Sequence, residues 1–108
     1  MMLAATLMTT WAGPGIAEDQ MEIVTRKFGE AMALGQVCGT LKANTAMMTL
    51  YTIGLGYTLD DEMKARIAVN FGKSLAVIDG RSEADACVVG EMLYGKKGTN
   101  APGLLIAE

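Results

Sequence analysis

Histidine is absent from this 108-residue chain. That removes Ser-His and Cys-His nucleophile pairs, His-Glu-x-x-His zinc sites and the usual general base near neutral pH. A basic excess is lacking too: nine Lys and Arg face twelve Asp and Glu, a net charge of −3. Nucleic-acid binding needs a basic face to neutralise phosphate, so no nucleic-acid partner is expected, nor an anionic membrane surface. Cysteine is scarce. Cys38 and Cys87 are the only two, and they lack the Cys-x-x-Cys spacing of a redox pair. Zinc needs about four ligands, which two thiols without histidine do not supply. No catalytic residue, metal site or cofactor is expected.

Charge is missing altogether from Met1 to Ala17, MMLAATLMTTWAGPGIA. Met1 to Thr9 is a short apolar run. Trp11, Gly13, Pro14 and Gly15 break it, Gly15-Ile16-Ala17 puts small residues at the −3 and −1 positions of a cut, and Glu18-Asp19 follow. This is the order of parts in a secretory signal peptide. The positively charged start is lacking, so residues 1–17 read as a signal-peptide segment truncated at its N-terminus. The alternative is an N-terminal core helix. The run is shorter than the ~20 residues a bilayer span needs, so no membrane span is expected once the signal is removed.

Residues 18–108 then form a single domain with a modest core, of a size that gains from a covalent staple. Two cysteines after a signal-like segment imply a Cys38–Cys87 disulfide made in an oxidising compartment. The alternative is two buried free thiols in a cytosolic protein.

The expected fold is all-α, a small bundle of about four helices with one inter-helix disulfide and a short C-terminal tail. Glu18 to Cys38 places Met21, Val24, Phe28, Ala31, Met32, Gly35 and Cys38 on one stripe. Leu41 to Tyr57 is more apolar and carries only Lys42, the pattern of a central helix. Thr58 to Ile78 is the clearest helix. Thr58 and Asp61 suit a capping box, Asp60–Lys64 and Glu62–Arg66 are favourable pairs, and Leu59, Met63, Ile67, Phe71, Leu75 and Ile78 form its stripe. Ser82 to Tyr94 is the fourth, capped by Ser82, with Ala84, Cys87, Val88, Met92 and Tyr94 inward. Leu104-Leu105-Ile106 should dock on the bundle, because an exposed apolar trio is a liability.

Lys27-Phe28-Gly29-Glu30-Ala31-Met32-Ala33 echoes Asn70-Phe71-Gly72-Lys73-Ser74-Leu75-Ala76. A mid-helix glycine costs about 1 kcal/mol relative to alanine, so both suggest close helix–helix approach.

Four constellations bear on chemistry. Gly90 to Lys96 spells G-x-x-x-x-G-K, but Lys97 stands where a phosphate loop needs Ser or Thr, and the segment ends a helix rather than opening one. Asp60, Asp61 and Glu62 read as a helix start rather than a carboxylate site. Met21, Met32, Met47, Met48, Met63 and Met92 could bind Cu(I) as thioethers or line a groove for apolar peptides or lipids, but core packing is the stronger reading. Lys96 and Lys97 beside Tyr94 make a small basic spot able to hold an anionic partner, or a solvated helix end.

In outline the chain resembles the periplasmic acid-stress chaperones of the HdeA type, which are small, exported and all-helical with a single disulfide over a comparable span. The resemblance covers architecture and Cys38 and Cys87. The surrounding Gln36-Val37-Cys38-Gly39 and Asp85-Ala86-Cys87-Val88 depart from that family's pattern. It implies that acid releases apolar surface for client binding. The residues themselves point to a non-catalytic periplasmic or secreted module, binding or structural, that acts through a protein partner or a small apolar ligand. A secreted inhibitor or immunity protein fits the same features.

Overall fold

The computed structural model describes residues 20–108. The signal-like segment, Glu18 and Asp19 lie outside the described residues. Four helices and a two-stranded sheet follow in the order α1 (Gln20–Cys38), β1 (Leu41–Ala43), α2 (Thr45–Gly54), α3 (Asp61–Ile78), α4 (Glu83–Tyr94) and β2 (Leu105–Ala107). The bundle is helical as expected, and Cys38 and Cys87 are joined in a disulfide between α1 and α4, with Cα atoms 4.7 Å apart.

The central helix is α1, not the apolar segment after it. Nine of its residues are buried, among them Gly29, Ala31, Ala33 and Gly35. These small side chains let neighbours approach on several sides. Gly29 is the closest approach. A Cβ there would lie 2.6 Å from Asn70 Cβ and 2.6 Å from the Phe71 backbone nitrogen. The two Phe-Gly echoes therefore meet where α1 crosses α3. Gly72 departs from expectation: nothing lies within 4 Å of its would-be Cβ.

Leu41 to Tyr57 divides into a strand and a short helix. Leu41–Ala43 pairs antiparallel with the tail, Leu41 against Ala107, Lys42 against Ile106 and Ala43 against Leu105. Leu104 and Leu105 are buried, as the docking argument requires, but as a strand rather than a loose tail, and Ile106 stays 39% exposed. Asn44 then caps α2, its side chain accepting from the Met47 N–H. Helix α2 is peripheral. Only Met48 and Thr52 are buried, and a tilted Phe28–Tyr51 ring contact at 6.5 Å holds it to α1. Leu50 and Ile53 face outward, 63% and 62% exposed. Apolarity marked the segment as buried, but a ten-residue helix at the edge of the bundle, held by α1 and by residues 102–103, leaves its outer face uncovered.

Helix α3 is capped by Asp60 rather than Thr58. The Asp60 carboxylate accepts from Met63 N–H at 3.0 Å, and the pair expected with Lys64 does not form. Glu62 and Arg66 do pair, at 3.1 Å. Of the expected stripe, Met63 and Ile67 are buried, while Phe71, Leu75 and Ile78 are half-buried because α3 packs mainly on α1. Helix α4 starts at its Ser82 cap as expected. Its inner side is Ala86, Gly90 and Tyr94. Ala84, Val88 and Met92 face out. The phase is set by Gly90, whose would-be Cβ lies 3.1 Å from both Leu41 and Leu105 side chains: the helix turns its glycine to the sheet.

Candidate functional site

The segment after α4 folds back over the end of its own helix. Thr99 N–H bonds Met92 O, Asn100 N–H bonds Leu93 O and Gly103 N–H bonds Gly95 O, so carbonyls that a helix end leaves unpaired are satisfied locally. This return carries Pro102 and Gly103 to α2. Tyr51 donates its hydroxyl hydrogen to Pro102 O at 3.0 Å, and Asn44 Nδ2 donates to Gly103 O at 3.0 Å. Between α2, the end of α4 and β2 lies a groove of about 730 Å³, within the range of small-molecule sites. Met47, Tyr51, Pro102, Leu105, Ile106 and Ala107 form its walls. Asn44, Glu91 and Lys96 are its remaining polar lining beside Gly103.

Lys96 thus reaches a setting the sequence did not join to it. The basic spot and the methionine groove, separate in the sequence, share one site through Lys96 and Met47. Tyr94 does not belong to the spot, because it points inward and is fully buried. Its hydroxyl donates to Glu30 Oε1 on α1 and accepts from Asn100 Nδ2 at 2.7 Å, while Lys27 Nζ donates to Asn100 O at 3.1 Å. This network ties α1 to α4 and the returning segment.

Burial, followed by the hydrogen bond and charge of Glu30, raises the Tyr94 phenol well above the ordinary tyrosine range. A raised pKa in the folded state means the unfolded chain gives up this proton first. The contribution is complete below about pH 10 and is lost as pH climbs from there toward the folded value. Tyr94→Phe is therefore expected to cost about 1–2 kcal/mol at neutral pH and to flatten the alkaline fall in stability, read from urea midpoints between pH 7 and 11.

The other candidates resolve into structure. Gly90 lies buried inside α4, so Gly90 to Lys96 is a helix end and not a phosphate loop. Asp60, Asp61 and Glu62 open α3. Among the methionines, Met48 and Met63 are buried, Met21, Met32 and Met47 are half-buried and Met92 is exposed. No cluster of metal-ligating side chains occurs among the described residues. The Thr40 hydroxyl lies 3.2 Å from Cys38 Sγ and 3.5 Å from Cys87 Sγ and, because disulfide sulfurs carry no proton, it is the donor. No described helix is long and apolar enough to cross a membrane. No family model, curated protein or solved structure matches the chain.

Proposed function

We propose that this chain is a non-catalytic, exported helical binding module of the bacterial envelope that works through the groove between α2, the end of α4 and β2, and takes a protein partner or a small apolar ligand there. The groove carries the reading. Its wall side chains are largely apolar, and of the polar side chains in its lining the Tyr51 hydroxyl and the Asn44 amide already bond within the protein, leaving Glu91 and Lys96 as its charged groups. A surface of that kind favours contact with apolar groups over solvation. The Cys38–Cys87 bridge supports export, since disulfides persist in oxidising compartments, and the charge-free residues 1–17 support it from the sequence side.

The test is mass spectrometry of the chain secreted into a periplasm. Intact mass should show cleavage after Ala17 and a gain of about two hydrogens on reduction. Native spectra should carry a bound species at near-stoichiometric level. A chain that keeps residues 1–17, has free thiols and arrives bare would overturn the reading.

A further inference from the structure

We infer that the groove takes an extended, uncharged segment of a partner polypeptide as a third strand against the outer edge of β2. The inference rests on the binding-module reading and names the partner's chemistry. The phase of the β1–β2 ladder carries it. Glu108 N–H bonds Thr40 O, and Asn44 N–H bonds Leu104 O. Bonded positions alternate along an antiparallel pair, so Ile106 and Lys42 bond each other, while Leu105 and Ala107 turn their N–H and C=O groups away from β1. Those outward groups have no partner among the described residues. Ala107 is open, but Leu105 is only 1% exposed. Its outward pair is therefore unbonded and nearly dry, a costly state that an occupant with its own donors and acceptors relieves. Donors and acceptors repeated two residues apart along one line match an extended backbone. The other edge of the sheet is closed: Leu41 O lies 3.3 Å from the would-be Cβ of Gly35 on α1. The groove runs along the open edge, since Leu105, Ile106 and Ala107 all line it and Lys42 and Ala43 do not. Met47 and Tyr51 wall it on the α2 side, Glu91 and Lys96 at the end of α4. A second folded copy would bring its own edge between its own walls, and the walls would meet before the edges do. A lone segment enters freely. Glu91 and Lys96 are both exposed and unpaired among the described residues, and their charges cancel, so the lining suits a segment without net charge.

The test is a nuclear magnetic resonance titration of the oxidised chain, isotope-labelled at its backbone amides. One probe is acetyl-Thr-Val-Thr-Val-Thr-amide. The other is the same peptide N-methylated at its central residues, which keeps the apolar content and removes the donors. The first should shift the Leu105 and Ala107 amides and slow their hydrogen exchange. Ile106, whose N–H already bonds Lys42, should stay nearly unmoved. That alternation is the signature of strand addition, and mere apolar contact would not produce it. Ala107→Pro removes an N–H that bonds nothing inside the protein, and proline is tolerated where an edge strand faces outward. It should weaken the peptide about tenfold, the worth of one net hydrogen bond. The N-methylated peptide should not bind, and this arm reads on the unaltered chain even if Ala107→Pro fails to fold. Equal binding of both peptides, or shifts without the alternation, would overturn strand addition. Exchange at Leu105 and Ala107 that slows with protein concentration alone would overturn it in favour of a second copy. No response to either peptide would also overturn it. A stoichiometric bound species on the exported chain in native spectra would then leave the binding-module reading in place.

Discussion

Removing the Cys38–Cys87 bridge is expected to destabilise the fold by about 4 kcal/mol. The bridge joins residues 49 apart, and closing a loop of that length removes about this much chain entropy from the unfolded state. The packing loss should be small beside it. Cys38 is fully buried and Cys87 half-buried, and alanine fills most of either site. Location adds to the effect. The bridge fixes the last residue of α1 to the second turn of α4, the helix whose return segment builds the groove, so reduction should loosen the groove before it melts α1 on α3. For a domain of this size the change corresponds to roughly 15–30 °C in Tm. The measurement is urea unfolding of the oxidised chain with and without reductant, alongside the Cys38→Ala/Cys87→Ala chain. A difference below about 1 kcal/mol would mean that the reduced unfolded chain already holds α1 and α4 together. If the double variant fails to fold, the wild-type pair still reads the value.

The elements most visible in the sequence are those specified by neighbours in the chain. Ser82 before Glu83 and Asp85 announces α4, and the acidic start of α3 announces itself to within two residues, although Asp60 and not Thr58 makes the cap. Both cysteines close onto each other as their count implied. What stayed hidden depends on contacts remote along the chain. Strands of three residues, Leu41–Ala43 and Leu105–Ala107, are too short for a period-2 pattern to stand out, and each is a strand only because the other is beside it. The exposed face of α2 could not be foreseen, because a segment apolar on all sides does not reveal which side finds a partner. Helix α4 turns Val88 and Met92 outward because Gly90 offers the sheet a flatter surface than either, a choice that concerns backbone approach and not hydrophobicity. The groove was the least legible part. Its walls come from residues 44–51, the end of α4 and residues 102–107, and only the return of the chain over Gly95 brings them together.

The Phe-Gly echo supplies the second large effect, with a sign that differs between its two copies. Gly29→Ala is expected to destabilise by about 2–3 kcal/mol, although alanine is the better helix former by about 1 kcal/mol. The added methyl would lie 2.6 Å from Asn70 Cβ and from the Phe71 backbone nitrogen. A helix backbone cannot yield as a flexible side-chain end can. Helices α1 and α3 must separate, and the loss falls within the upper range of overpacking. Since α3 rests mainly on α1, separation there strips Met63 and Ile67 of their cover as well. Gly72→Ala makes the same chemical change one helix away, in open space. Only the helix propensity acts there, so stability should rise by about 0.5–1 kcal/mol. Urea midpoints of the two variants should therefore move in opposite directions at an unchanged denaturant slope. Stabilisation by both substitutions would show that α1 and α3 do not touch at Gly29. Destabilisation by both would mean that Gly72 meets a surface of its own, such as a helix of a second copy, and Gly72→Ala would then lower stability in a manner dependent on protein concentration.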